Sequence, residues 1–405
     1  MSKKASPRHR AEVPRRQRRL RAALIAVVSL ALVVGIGVTL VYRKLDGNLS
    51  VVDADGLIGG DRPDEAKVKA RHKPLNVLLI GSDSRIGSDI GGETSGLADT
   101  VILLHLSGDR DRAYGVSIPR DLMVERPACT NAESGAEIPA SNGLEQFNAA
   151  FAYGGPACTM KTVEHMSDVR IHHFVEVNFN GFREMVDALG GVPICVPEEV
   201  NDTYGKIHLK AGSYEANGRQ ALDYVRTRTA ISNNGDVGRM RRQQAFLAAM
   251  TNKAVSLGTL VNPVKLYNFL DAATKSIRLD EGLDSPAKLG GLAKQLTDIG
   301  LDNVQFLSVP FDWWPENRNR LILTDDAAEL WDLIREDRPL SRRLSTDVIT
   351  AAEPPTKQRT PGGSGGLGGS SGGSGDSSAG PAPSPSTTPA DEERAARARE
   401  NGLCA

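Results

Sequence analysis

Five arginines fall within seventeen positions of this chain: Arg226 and Arg228 in the run Tyr224-Val-Arg-Thr-Arg-Thr229, then Arg239, Arg241 and Arg242 in Gly238-Arg-Met-Arg-Arg-Gln-Gln244. A guanidinium keeps its charge at every working pH and presents a planar fork of N–H donors that fits phosphate oxygens in pairs. Such a density of forks suits a multiply charged anion. In a helix, Arg239 and Gln243 stand at i and i+4 on one face, where the glutamine adds a neutral donor. Arg242, at i+3 from Arg239, is held in reserve for the same site, and Arg241 faces elsewhere, toward solvent. Taken alone, the cluster is equally well a solvated basic helix face.

Three further segments lie at the ends of apolar runs. Gly81-Ser-Asp-Ser-Arg85 follows the run 75–80 and offers Asp83 and Arg85; Asp99 directly precedes the run 100–106; Ser117-Ile-Pro-Arg-Asp121 closes the run 113–118 and offers Arg120. Ligands of open α/β sheets gather beyond the carboxyl ends of strands, so these are favoured places. Pro119 stops its strand and fixes the backbone, which aims Arg120 from a rigid corner. Each has an ordinary alternative: a polar turn at 81–85, a strand-flanking cap at Asp99, a weak surface pair between Arg120 and Asp121. The histidines His105, His165, His172, His173 and His208 show no HxH or HExxH spacing and read as structural.

The elements that must position these residues are strands at 75–80, 100–106, 113–118, 174–179 and 304–309. Helices are expected at 147–153, 158–167, 182–189, 218–224, 239–256, 263–275, 286–299 and 325–335. Their alternation predicts one α/β domain with a central, mostly buried sheet over residues 74–340. Residues 43–73 are polar and irregular and read as a stalk, and 341–405 as a Gly/Ser/Pro-rich flexible tail ending in a cysteine.

Ahead of the stalk, residues 1–21 carry nine Lys or Arg against the single Glu12, a net of +8 in a chain whose total is −1. Residues 22–42 then run without a charge, and 21 residues at 1.5 Å each reach about 30 Å, enough to cross a bilayer core. A cleaved signal would have a shorter apolar core, so the run reads as a transmembrane helix. The positive-inside rule puts the basic head in the cytoplasm and the domain outside the cell, away from nucleic acid. The four cysteines, Cys129, Cys158, Cys195 and Cys404, all follow the anchor, where disulfides persist. Pairing Cys129 with Cys158 would brace a Pro/Gly-rich insertion, and Cys195 with Cys404 would pin the tail; free thiols and other pairings stay open.

Taken in order, Asp83/Arg85, Asp99, Arg120, the run from Phe147-Asn148 to Gly155, Tyr224-Val-Arg226-Thr-Arg228 and Asp236-Val-Gly-Arg239-Met-Arg-Arg242-Gln243-Gln244 resemble the LytR-CpsA-Psr family. The resemblance implies a three-layer α-β-α domain with a central mixed sheet, preceded by one transmembrane helix. It also implies a membrane-anchored transferase that moves a glycopolymer from a polyprenyl-pyrophosphate carrier to peptidoglycan. Arg85, Arg120, Arg226, Arg228, Arg239 and Gln243 would hold the pyrophosphate. Asp83 and Asp99 would bind Mg²⁺, and either could take the acceptor's proton. Faces around Leu103, Phe179 and Phe246 are candidates for a prenyl slot, and Asp121 and Asp236 would orient arginines. Many family members carry an arginine two residues before the second aspartate, where this chain has Leu97; Arg85 or Arg242 would replace that contact. Hydrolysis of the same pyrophosphate, or lipid binding without catalysis, are the alternative readings.

Overall fold

The computed structural model describes residues 15–83, 96–203, 205–228, 235–356 and 389–404. The chain divides into two units, one ending at Asn48 and one beginning at Leu49. In the first, helix α1 spans Arg15–Asp46, and its portion Arg19–Asp46 is long and apolar enough to cross a membrane. Its apolar side chains stand open, Leu24 at 66% and Ile25 at 64% exposure, as a helix solvated by lipid requires. This fits a single-pass membrane protein.

The second unit is built on an eight-stranded mixed sheet. Its strand order is Ser50–Val52 (β1), Ile277–Asp280, His173–Asn178, Leu75–Ser82 (β2), Ala98–Leu106 (β3), Ala113–Ile118 (β4), Val304–Ser308 and Ile349–Thr350. β3 runs antiparallel to both β2 and β4, while His173–Asn178 is parallel to β2 and Val304–Ser308 is parallel to β4. The carboxyl ends of β2, β4, His173–Asn178 and Val304–Ser308 therefore share one edge of the sheet with the amino end of β3. The central strands are apolar on both faces because helices cover both.

Leu78, Leu103 and Val116 face Ala157, Met160 and Val163 of helix α3 (Ala149–Ser167) and Leu330 and Ile334 of the helix Asp325–Arg335. Val77, Leu104 and Phe306 face Ala245 and Ala248 of the long helix Gly235–Val255 and Leu296 of the helix Pro286–Ile299. The three-layer expectation holds. α3 is broken at Gly155, whose φ of +67° is open to glycine, so the two short helices expected there exist as two arms of one element.

Two boundaries differ from the sequence reading. Residues 49–73 are not a stalk. β1 pairs with Ile277–Asp280, helix α2 (Ala54–Ile58) buries Ala54 and Ile58 in the core, and Arg62 reaches Glu164 at 2.8 Å with both side chains buried. The tail is also not free at its ends. Ile349–Thr350 completes the sheet, Leu403 joins the core, and Cys195–Cys404 forms alongside Cys129–Cys158. The Cys195–Cys404 bridge closes a separation of 209 residues. Cys404→Ser is therefore expected to lower the unfolding free energy by about 2–5 kcal/mol, read as a lower urea midpoint under oxidising conditions.

Candidate active site

The shared edge of the sheet assembles the site. β2 and β3 pair Gly81 with Thr100 but Ser82 with Ala98, so Asp99 is the extra residue of a bulge. Bulges re-aim side chains, and this one takes Asp99 out of the ladder and turns it to the sheet edge. Asp83 follows β2, and its carboxylate accepts from the Leu97 amide while its own amide donates to the Leu97 carbonyl at 3.1 Å. Across β3, Pro119 ends β4, and the Leu122 amide donates to the Pro119 carbonyl at 3.2 Å, closing the corner that carries Arg120. The Asn148 amide donates to the Arg120 carbonyl at 3.2 Å, which locks the corner to the start of α3.

Arg120 spans the site. Its Nη1 donates to Asp99 Oδ1 at 2.9 Å, its Nη2 to Asp236 Oδ2 at 2.9 Å, and its Nε to Asp121 Oδ2 at 3.3 Å. Two more guanidiniums meet the same acceptors. Arg239 lies 3.4 Å from Asp99 Oδ1 and 3.3 Å from Asp236 Oδ1; Arg228 lies 3.5 Å and 3.4 Å from them. Asp99 Oδ1 is thus the focus of three guanidiniums, and stands where an anionic oxygen of a ligand would be held. Arg239 is 5% exposed at its side chain, while Arg228 is 45% exposed and forms the open wall. Asp99, Arg120, Asp121, Asp236, Arg239, Gln243 and Leu321 line one cleft.

The carboxylates divide the charge unequally. Burial would raise Asp236, but its hydrogen bond with Asp121 and the guanidiniums of Arg239, Arg120 and Arg228 hold it below the usual carboxylate range. Asp121 is pushed up, first by burial and then by the bond to Asp236, so as pH falls Asp121 is the first of the pair to take a proton. Because the folded value of Asp236 is depressed, its stabilisation is present above an unfolded carboxylate pKa of about 4 and is lost as pH falls through the folded value. Asp236→Asn is expected to be less stable than the parent at pH 5, with the gap in urea midpoint closing toward pH 2.

Of the residues expected at the site, the structure brings together Asp99, Arg120, Arg228, Arg239 and Gln243, with Asp83 at the adjacent strand end. Arg226 is exposed and stacks over the Phe179 ring at 4.7 Å. Arg85 lies outside the described residues. Two arginine assignments are corrected. Arg241 is not in solvent: it is buried, with Nη1 on Gln244 Oε1 at 2.8 Å and Nη2 on the Asp347 carbonyl at 2.9 Å. Arg242 is not a reserve phosphate contact: it is fully buried, bonds the Thr227 carbonyl, and reaches the Asn401 carbonyl at 3.2 Å. Burial lowers its pKa to about 10.

Leu103 and Phe246 are buried in separate core clusters. Glu176 was missed. It is buried beside the site, accepts from Ser82 Oγ at 2.8 Å, and is raised by burial. Its signal was a carboxylate on the same strand face as the fully buried Phe174.

Among the described residues, no group of three or more His, Cys, Asp and Glu is arranged to hold a metal. Asp83 and Asp99 stand at adjacent strand ends, where Asp83 accepts from the Leu97 amide and Asp99 faces three guanidiniums.

A family model described as the LytR_cpsA_psr family matches residues 41–333. The chain belongs to the LytR-CpsA-Psr family. Among relatives in this family, the probable cell wall biosynthesis protein LcpB of Corynebacterium glutamicum is 35% identical over 267 residues, covering 63% of this chain and 58% of LcpB. The polyisoprenyl-teichoic acid–peptidoglycan teichoic acid transferase TagT of Bacillus subtilis is 36% identical over 194 residues, covering 46% of this chain and 54% of TagT. The chain thus spans little more than half the length of these curated relatives. A solved structure of TagT bound to LIIa-WTA aligns with TM-score 0.51 at 25% identity, covering 69% of this chain and 96% of that one. The family match over residues 41–333 includes the arginine focus.

Proposed function

We propose that this protein is a membrane-anchored phosphotransferase that moves a glycopolymer from a polyprenyl-pyrophosphate carrier to peptidoglycan. The observation that carries the reading is the convergence of Arg120, Arg228 and Arg239 on Asp99 Oδ1. Phosphoryl transfer needs positioning and stabilisation of charge spread over phosphate oxygens, and a water-poor cluster of guanidiniums supplies both. The name of TagT describes the same reaction class, and its structure holds LIIa-WTA.

The pyrophosphate would draw the three guanidiniums from the carboxylates that they pair with. Gln243 would add a neutral donor, Arg226 would close from the exposed side, and Arg85 completes the set implied by the family pattern. Asp83 and Asp99 would hold Mg²⁺, which supplies charge neutralisation on the phosphate oxygens when bound. The acceptor hydroxyl oxygen forms a bond to the phosphorus bearing the sugar. The bridging P–O bond breaks, its electron pair leaves on prenyl monophosphate, and the hydroxyl proton passes to Asp99 or Asp83. With the basic head in the cytoplasm, the domain stands outside, beside both lipid carrier and wall.

Wall-linked polymer measured in a host strain lacking paralogues tests the reading. Arg228→Ala is expected to lower attachment at least tenfold on the scale of a lost transition-state donor. Unchanged attachment would overturn the assignment.

A further inference from the structure

The strand Val304–Ser308 runs parallel to β4 and delivers the chain to the site edge, where the hairpin Phe311–Trp313 and Leu321–Leu323 follows. Sequence reading left this segment without an element. The hairpin is fastened to the catalytic corner: the Leu321 amide donates to the Asp121 carbonyl at 3.2 Å, Leu321 bridges Leu122, and Arg320 lies 3.9 Å from the Asp121 carboxylate. Leu321 itself is buried and lines the cleft with Asp99, Arg120 and Arg239.

Trp313 is the residue directly opposite Leu321 in the antiparallel pair. Directly opposed residues project to the same face, with Cβ atoms about 5 Å apart. Trp313 therefore shares the hairpin face of Leu321, and it is 48% exposed. The chain has three tryptophans, and Trp331 is buried in the core, whereas Trp313 and Trp314 sit together on this rim. The turn beyond them carries Asn317, Arg318 and Asn319, all exposed. An open indole followed by a turn that carries amide and guanidinium donors is matched to a pyranose. The C–H face of the sugar lies on the ring, and its hydroxyls take the polar edge.

We propose that Trp313 is a glycan subsite of this protein. It holds a pyranose ring next to the pyrophosphate, with Arg318, Asn317 and Asn319 on the ring's hydroxyl edge. The proposal rests on the transferase reading for the identity of the neighbouring anion. The ring belongs either to the first sugars of the carrier-linked polymer or to the acceptor strand, and the chemistry recognised is the same in both.

The test uses the full chain in detergent, as parent, Trp313→Ala and Trp313→Phe. Binding is measured by tryptophan emission and calorimetry for two probes, a soluble N-acetylglucosamine tetramer and sugar-free polyprenyl pyrophosphate. The tetramer is expected to bind Trp313→Ala about tenfold more weakly than the parent, the scale of one aromatic stack, with Trp313→Phe between them. Sugar-free polyprenyl pyrophosphate is expected to bind all three alike. In a transfer assay, a raised KM for the lipid-linked saccharide with kcat kept assigns the ring to the donor, and a raised KM for peptidoglycan assigns it to the acceptor. Equal tetramer affinity in parent and Trp313→Ala, or no tetramer binding by the parent, overturns the subsite. Failure of the parent to bind polyprenyl pyrophosphate while the tetramer result holds would instead overturn the transferase reading and leave the glycan subsite standing.

Discussion

Arg120→Ala is expected to lower transfer by about 10³-fold, the scale set by removing one preorganised donor to a charged transition state. The size of the effect follows from connectivity. Arg120 alone contacts all three carboxylates of the cluster, Asp99, Asp121 and Asp236, each through a different nitrogen. Among the described residues, its removal leaves these acids with the guanidiniums of Arg228 and Arg239, and with Arg320 and the Gln146 amide on Asp121, so an incoming pyrophosphate meets a more negative site. Arg120→Lys is expected to restore little, because a single ammonium cannot span acceptors on separate elements as a planar fork does. Steady-state transfer rates with thermal melts on the same samples check this. A loss explained wholly by unfolding would show as a melt midpoint at or below the assay temperature in Arg120→Lys.

Asp99→Asn is expected to separate binding from turnover. The Asp99 carboxylate competes with any incoming phosphate for Arg120, Arg228 and Arg239. Neutralising it frees those forks, so affinity for polyprenyl pyrophosphate stays level or tightens. Turnover falls by about 10²–10⁴-fold, because a carboxylate that receives the proton or holds the ion is gone. Isothermal titration with polyprenyl pyrophosphate beside single-turnover rates gives both numbers. A parallel fall in affinity and rate would show that Asp99 acts only by supporting the fold of the bulge.

The helical period was enough to place Arg239 and Gln243 on the cleft face, and Pro119 was enough to mark the Arg120 corner. Asp99 was legible as a strand flank, but not as a bulged residue, since bulging depends on the register with β2. The errors at Arg241 and Arg242 share one cause. Residues 238–244 are buried on every side of their helix, so the turn has no solvent face to which an arginine could be sent. The partners that neutralise or cap these side chains, Asp347 and Asn401, come from segments more than a hundred residues away. The misread stalk has a different cause. β1 is three residues long and α2 five, too short for either periodicity to register; β1 is placed by pairing with the strand at Arg278, and the burial of α2 is decided by α3. The hairpin around Trp313 escaped for the same reason.

The central claim is that one site couples cleavage of the carrier pyrophosphate to formation of a new phosphodiester. The most direct measurement incubates the full chain in detergent with a polyprenyl-pyrophosphate-linked saccharide and peptidoglycan, and quantifies both products. The account predicts prenyl monophosphate and phosphodiester-linked saccharide in equal amounts, both lost in Arg120→Ala. Prenyl monophosphate released without linked saccharide, at a rate indifferent to peptidoglycan, would contradict it.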